Sequence, residues 1–419
     1  MKRLEPFHDK MGRLYGAMPL NVTLQVTEDC NLACTYCYQC SKSKNRMTFD
    51  VAKQFVDELI NGNYDNYFVK GERDGYIFDF IGGEPFLEID LIDRTTEYIL
   101  RTMLERGMDT SKVMFSFSTN GTLYFEEKVQ AYLDKYFEYI SLSITLDGNK
   151  ALHDSCRVFH DGSGSYDMAE KAMKHWQAKG GYVGTKLTIC HENLPYLSEA
   201  VIHMLGLGIE ELHMNCVYED VWKDGDAKLL YQQLKVIGDH IIDRGKDIAV
   251  SMLNRENFQP LPETETQNWC GGDGRMIALD YAGRIFPCLR YMGSSLKNQK
   301  PFEIGRIGEG IAKQENYCSR CSVLSCITRQ SQSPEKCLTC PVAKGCGWCS
   351  AYNYDLFGTP NKRATYHCEM HKATALANAY YWNKRFIEFE VGLPREEVES
   401  LIGKEEAECL REVIFGNSY

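Results

Sequence analysis

Cys30-Asn-Leu-Ala-Cys34-Thr-Tyr-Cys37 directly follows Asn21–Val26, a stretch in which Val22, Leu24 and Val26 fall on one face of a strand. Three thiols at these spacings can converge from one loop onto a single inorganic cluster. Four-iron clusters normally take four thiolates, so a trio leaves one iron open to a ligand from outside the chain. The competing reading is three buried thiols in an ordinary loop. The spacing, and its place after the first strand, make that the weaker reading.

Composition bounds the rest. The chain has 419 residues, 44% hydrophobic and 25% charged, which suits a soluble globular protein of two or three domains. Its charge sum, 47 − 58 = −11, argues against a protein that grips nucleic acid through a basic face. Met1-Lys2-Arg3-Leu4-Glu5-Pro6 has no apolar core behind it, so no signal peptide is expected. No apolar run is long enough to span a membrane. A cytoplasmic chain is therefore expected. Its 18 cysteines are then reduced, and their clusters serve metal or redox chemistry better than disulfides.

Strands are predicted at Asn21–Val26, Tyr76–Ile81, Val113–Ser118, Tyr139–Leu146, Tyr182–Ile189 and Glu211–Tyr218. Helices are predicted between them, at Val51–Ile60, Leu87–Arg106, Leu123–Leu133, Tyr166–Ala178, Asn193–Leu207 and Ala227–Asp243. Six β-α units imply a parallel α/β sheet with helical crossovers, whether an open barrel or a doubly wound sheet. Either gathers its ligands at the carboxyl ends of the strands. After about residue 260 the pattern changes: eleven of the 18 cysteines lie from Cys270 onward, and Arg275–Leu279 with Arg284–Cys288 reads as a β-hairpin. Pro394–Val413 is charged and helical. The expected divisions are an extension over 1–19, the α/β unit over 20–255, a Cys-rich domain over 256–390 and a helical tail over 391–419.

The CxxxCxxC spacing resembles the radical S-adenosylmethionine (radical SAM) superfamily, which implies a partial (β/α)6 barrel. In that family SAM binds the open iron of a [4Fe-4S] cluster held by the three cysteines, here Cys30, Cys34 and Cys37. Tyr36 matches the aromatic that packs on adenine. Gly82-Gly83-Glu84-Pro85, after the second strand, resembles the element whose carboxylate and backbone hold the SAM amine. Ser118-Thr-Asn120-Gly and Thr145-Leu-Asp147-Gly end the next two strands, the first where the family contacts the ribose and methionyl group. Arg157 matches the arginine that pairs with the SAM carboxylate. Each piece alone could be turn chemistry; their order at consecutive strand ends is what carries the resemblance.

The later cysteines resemble the SPASM extension of radical SAM peptide maturases. The resemblance implies two auxiliary [4Fe-4S] clusters: one on Cys337, Cys340, Cys346 and Cys368, the other on Cys270, Cys288 and Cys349 without a fourth thiolate. Cys346 and Cys349 are separated by two residues where the family usually has three. Zinc-ribbon chemistry is the competing reading. Cys318, Cys321 and Cys326 fall outside the pattern; they complete the three-ligand cluster, hold a further metal, or are structural thiols. Cys216 is a candidate hydrogen-atom donor at the end of strand six, and the other single cysteines are ordinary buried residues by default.

The resemblance implies modification of a small ribosomally made precursor peptide. A thioether from a peptide Cys to a carbon of another residue is the leading expectation, with a reductant such as flavodoxin or ferredoxin. Thr23–Lys44 is similar to maturases of Cys-repeat peptides. The alternatives are formylglycine formation of the sulfatase-maturase kind, peptide carbon–carbon cyclisation, and epimerisation. Leu289 stands where sulfatase maturases carry a basic Asp, which counts against the first of these. From another class, the chain could be a non-catalytic electron-transfer or zinc-binding protein. About 20 residues precede the first strand, so no N-terminal leader-binding module is expected.

Overall fold

The computed structural model describes residues 19–68, 75–182, 184–209, 211–245, 248–265, 270–311, 323–385, 387 and 389–410. β1 (Leu20–Gln25), β2 (Tyr76–Ile81), β3 (Val113–Thr119) and β4 (Ile140–Ile144) pair in parallel in that spatial order. Between them run α1 (Phe49–Ile60), α2 (Ile89–Glu105) and α3 (Glu127–Lys135). Two helices then follow in succession, α4 (Lys150–Cys156) and α5 (Tyr166–Ala178). β5 (Gly184–Ile189) and β6 (Glu211–Cys216) form a second parallel pair around α6 (Leu197–Gly206). The Thr185 hydroxyl joins the two sets, donating to the Ile144 carbonyl and lying 3.4 Å from the Leu146 N–H it accepts. This is the parallel α/β architecture expected for a partial barrel.

A period of two along the strands decides which face does what. In register across β2 and β3 stand Phe78 beside Phe115 and Phe80 beside Phe117, stacked with centroids 6.0 and 5.5 Å apart. All four rings are buried, and Phe117 also meets Tyr132 of α3 edge-on. Each such ring contributes roughly 1.5–3 kcal/mol of burial. The intervening residues, Asp79, Ser116, Ser118, Ser141 and Ser143, fall on the opposite, concave face. On β5, Thr185, Leu187 and Ile189 are buried while Lys186 shares its face with His213 of β6. One face is thus hydrocarbon against helices, and the other carries the polar strand residues among Ile77, Ile81 and Met114.

The chain beyond 255 does not stand apart from this sheet. β8 (Met276–Leu279) pairs in parallel with β1, Val22 opposite Ile277. β9 (Arg284–Phe286), β10 (Gly305–Arg306) and β11 (Gly310–Ile311) continue outward in antiparallel fashion. A two-residue strand, β7 (Ala249–Val250), extends β6. The expected hairpin is present as β8 and β9, and the sheet crosses the boundary placed near 255–265. α7 (Asp226–Arg244) is covered by a long helix, Cys368–Lys384: Tyr381 lies against Gly238, and the Tyr380 hydroxyl donates to Asp239 at 2.9 Å. That helix begins at Cys368, one of the later cysteines. No helix among the described residues is long and apolar enough to cross a membrane.

Candidate active site

The Cys30–Cys37 loop leaves the end of β1, and each of the next three strand ends reaches one of its residues. At the end of β2, Glu84 N–H donates to the Asp29 carbonyl at 3.0 Å. At the end of β3, the Asn120 side chain donates to Oδ1 of Asn31 at 2.8 Å. Beyond β4, Asp147 accepts the Tyr36 hydroxyl. A segment after α4 closes the other side: Ala33 N–H donates to Val158 O at 2.7 Å and Thr35 N–H to Cys156 O at 3.0 Å. His160 Nε2 lies 3.0 Å from the Cys30 carbonyl. Loop, strand ends and this segment make one rigid frame.

Several side chains expected to touch a ligand belong to that frame. Glu84 is 1% exposed. Its Oε1 accepts from the Thr119 hydroxyl at 2.7 Å and from Phe86 N–H at 3.2 Å, and its Oε2 from Asn120 N–H at 2.8 Å. Burial still pushes the carboxyl up to about 6, against these three donors. The carboxylate thus ties the end of β2 to the end of β3, at the position where the resemblance places a contact to the SAM amine. Gly82 and Gly83 serve close approach of a different kind. A Cβ on Gly83 would stand 2.2 Å from the Asp29 carbonyl oxygen and 2.6 Å from Cβ of Cys30, and one on Gly82 2.7 Å from Thr27. The glycines let the cysteine loop lie on the end of β2. Asn120 Oδ1 is likewise taken, by the Thr122 N–H and hydroxyl at 2.9 and 2.7 Å.

Arg157 and Asp147 sit at the open side of the frame. Nε of Arg157 donates to Oδ2 of Asp147 at 2.6 Å, with side chains 14% and 8% exposed. The guanidinium lies over the Tyr36 ring at 5.4 Å, and its Nη1 is 4.0 Å from the Cys34 sulfur. Burial pushes the Cys34 thiol up, while Arg157 opposes it. Burial also takes the Cys30 thiol up to about 11, against the Leu32 N–H and Lys42. A cation beside grouped thiols suits a site whose ligands bind as thiolates. Thr145 N–H is held by Thr119 O at 2.9 Å, and Ser118 opens onto the concave face.

That concave face carries titratable groups the sequence left unremarked. Burial pushes Asp79 up to about 6, opposed by the Ser116 hydroxyl. Burial, and then Arg290, push the Lys186 ammonium down. Tyr38, next to Cys37, lies within electrostatic reach of both Asp79 and Arg290. Arg290 has Glu219 at 3.9 Å. Alternation along the strands could have found Asp79 and Lys186, since both break apolar runs at the face opposite the Phe row. Cys216 sits elsewhere. By the alternation of β6 it follows Leu212 and Met214, packed against the core, and burial takes its thiol up to about 12. Its candidacy as a hydrogen-atom donor needs the opposite face, and the register of β6 puts it with the core side chains.

Two thiol groups assemble in the C-terminal region. Cys288 lies within electrostatic reach of Cys270 and Cys349, and Cys270 Sγ is 3.1 Å from the Ser350 hydroxyl. Cys337, Cys340, Cys346 and Cys368 interact with one another in the same way. Arg363 Nη2 donates to the Cys346 sulfur at 3.1 Å, and Lys372 faces Cys368 and Cys340. Among the described residues no three His, Cys, Asp or Glu side chains converge tightly enough for a single metal ion. Cys326 lies on a short turn, Val323–Cys326, whose Leu324 borders Gly272 beside Cys270. Cys318 and Cys321 lie outside the described residues.

Residues 24–213 match the model of the Radical SAM superfamily. The mycofactocin maturase MftC of Mycolicibacterium smegmatis is 27% identical over 64% of this chain and 64% of its own. AlbA of Bacillus subtilis, an antilisterial bacteriocin subtilosin biosynthesis protein, is 25% identical over 79% of this chain and 67% of its own. The chain thus spans about two thirds of the length of these relatives, and less than that of MftC. Among solved structures, anSMEcpe with bound AdoMet superposes with a TM-score of 0.65 at 17% identity, covering 88% of this chain and 94% of that one, a likeness of fold.

Proposed function

We propose that this chain, whose residues 24–213 form a radical SAM domain, modifies a ribosomally made precursor peptide. The observation that carries the reading is the frame: three consecutive strand ends and the Cys156–His160 segment grip one three-cysteine loop and set an arginine against it. Such a frame fits a loop whose sulfurs hold a cluster in a fixed place, since a loop bearing ordinary thiols needs no such grip. When bound, SAM and a four-iron cluster supply a radical that takes an unactivated hydrogen atom, and auxiliary clusters supply an acceptor for the electron that C–S bond formation leaves.

The protein's own groups divide that work. Cys30, Cys34 and Cys37 hold the cluster. Arg157 offers Nη1 and Nη2 to the SAM carboxylate while its Nε stays on Asp147. Tyr36 presents a ring at the mouth, and Ser118 and Thr145 a hydroxyl and a strand-end backbone. Glu84, Gly82, Gly83 and Asn120 keep the cysteine loop in register on the strand ends that would hold SAM. Cys337, Cys340, Cys346 and Cys368 take one auxiliary cluster. Cys270, Cys288 and Cys349 take the other, and a set of only three thiolates leaves one iron for a substrate thiol. This last feature favours thioether formation. A flavodoxin or ferredoxin supplies electrons.

A second reading has one observation in its favour. Formylglycine formation needs a base, and although Leu289 replaces the expected one, Asp79 puts a carboxyl on the concave wall. Mass spectrometry of a candidate Cys-rich precursor after anaerobic incubation separates the two. Loss of two hydrogens with one cysteine no longer alkylatable supports a thioether. Loss of the sulfur itself rejects the thioether in favour of formylglycine, and a modified peptide with every cysteine alkylatable rejects both.

A further inference from the structure

We propose that His153 is a positioning residue: locked as its neutral Nε2–H tautomer, it fixes Arg157 relative to Asp147 and the cysteine loop. The inference rests on the reading above, in which Arg157 meets the SAM carboxylate.

His153 lies in the last turn of α4 and is 0% exposed. Asp147 N–H points at its Nδ1 from 3.2 Å. A backbone N–H can only donate, so Nδ1 is the acceptor and the ring proton sits on Nε2. Nε2 is 3.0 Å from the Ser165 hydroxyl oxygen, which therefore accepts. Ser165 keeps its own proton for the Arg157 carbonyl, 2.9 Å away. The chain of donors has one direction: Asp147 N–H to His153, His153 to Ser165, Ser165 to the Arg157 backbone. Arg157 N–H also donates back to the His153 carbonyl at 2.8 Å. A protonated ring would set donor against donor at Asp147. Burial first, then Arg157, hold the ring's pKa down to about 4, so the neutral form persists.

The consequence is geometric. Asp147 and Arg157 form the buried ion pair, and the imidazole braces the backbone of both. Cys156 O and Val158 O, on either side of Arg157, hold the cysteine loop. Removing the ring leaves the buried Asp147 N–H without its partner and cuts the link from Asp147 to Ser165, which holds the Arg157 carbonyl, a disturbance that reaches the arginine by way of two hydrogen bonds.

The test uses the anaerobically reconstituted full chain with SAM as the probe. His153→Asn can put Oδ1 where Nδ1 was and keep the Asp147 bond; His153→Ala cannot; Ser165→Ala cuts the relay one step on. Iron per chain is measured first, then SAM affinity from the change SAM makes in the EPR signal of the reduced cluster. The expected result is iron content near wild type, SAM affinity down about tenfold in His153→Ala, partial rescue in His153→Asn, and a smaller loss in Ser165→Ala. Wild-type affinity in both His153→Ala and Ser165→Ala overturns the inference. So does an equal loss in the Asn and Ala variants. Wild-type protein that shows no SAM-dependent change overturns the underlying reading instead, which keeps the two failures distinct.

Discussion

Arg157 donates from Nε to Oδ2 of Asp147 at 2.6 Å, and the pair is almost wholly withdrawn from water. That bond uses the one guanidinium nitrogen that a second carboxylate least needs. The two terminal nitrogens remain, one already beside Cys34 at 4.0 Å. Lysine has no such division of labour. Arg157→Lys is expected to lower the rate of SAM cleavage by about 30- to 150-fold with iron content retained, as loss of a charge-assisted two-point contact predicts. Cleavage assays on protein of matched iron content check this.

Asp147→Asn tests the same pair from the other side. It leaves the arginine buried without its counter-charge, which costs roughly 3–5 kcal/mol in comparable pairs. The midpoint of anaerobic denaturant unfolding should fall accordingly. A midpoint unchanged from wild type would mean that the pair carries no weight.

Gly83→Ala places a methyl 2.2 Å from the Asp29 carbonyl and 2.6 Å from Cys30 Cβ, and neither is the end of a flexible side chain. The loop has to lift from β2. Iron bound at Cys30, Cys34 and Cys37 should drop in proportion, while Gly206→Ala, which meets nothing within 4 Å, should not affect it. Iron analysis in a background lacking the C-terminal cysteines would isolate this cluster.

Much of the scaffold was legible because it obeys short periods. Tyr76–Ile81 and Tyr166–Ala178 have the same bounds in the structure as in the pattern. The place of the Cys loop after β1 follows from Val22 and Leu24 alone. What resisted reading was where side chains turn. Spacing shows that Glu84, Asn120 and Asp147 stand at strand ends, but a carboxylate there can face a ligand or the neighbouring loop, and Glu84 faces Thr119 and Asn120. α4 is seven residues long, too short for periodicity to show, so nothing in the sequence singles out His153. The pairing of β8 with β1 joins residues some 250 apart, and no local signal reports it. The grouping of Cys270, Cys288 and Cys349 depends on that same pairing and on α-helical residues such as Ser350.

Asp79 gives a pH signature. Its carboxyl is raised to about 6 in the folded chain, above its ordinary value near 4 when unfolded. Between those values the folded state binds more protons than the unfolded one, so this group's contribution to stability falls as pH rises from 4 to 6 and stays low above it. Asp79→Asn removes the titration. Relative to wild type, it should gain on the order of 2 kcal/mol at pH 8 and little at pH 4. Paired unfolding curves at the two pH values test the sign: a variant that gains nothing at pH 8 contradicts it.

Reductive cleavage of SAM at the framed cysteine loop, with Arg157 beside it, has a direct readout. Purify the chain anaerobically, reconstitute it with iron and sulfide, add SAM and dithionite, and quantify 5′-deoxyadenosine by liquid chromatography. The wild type should give 5′-deoxyadenosine and methionine in equal amounts, and a Cys30→Ala, Cys34→Ala, Cys37→Ala triple variant none. No 5′-deoxyadenosine from wild-type protein that carries its iron, or equal amounts from the triple variant, would contradict it.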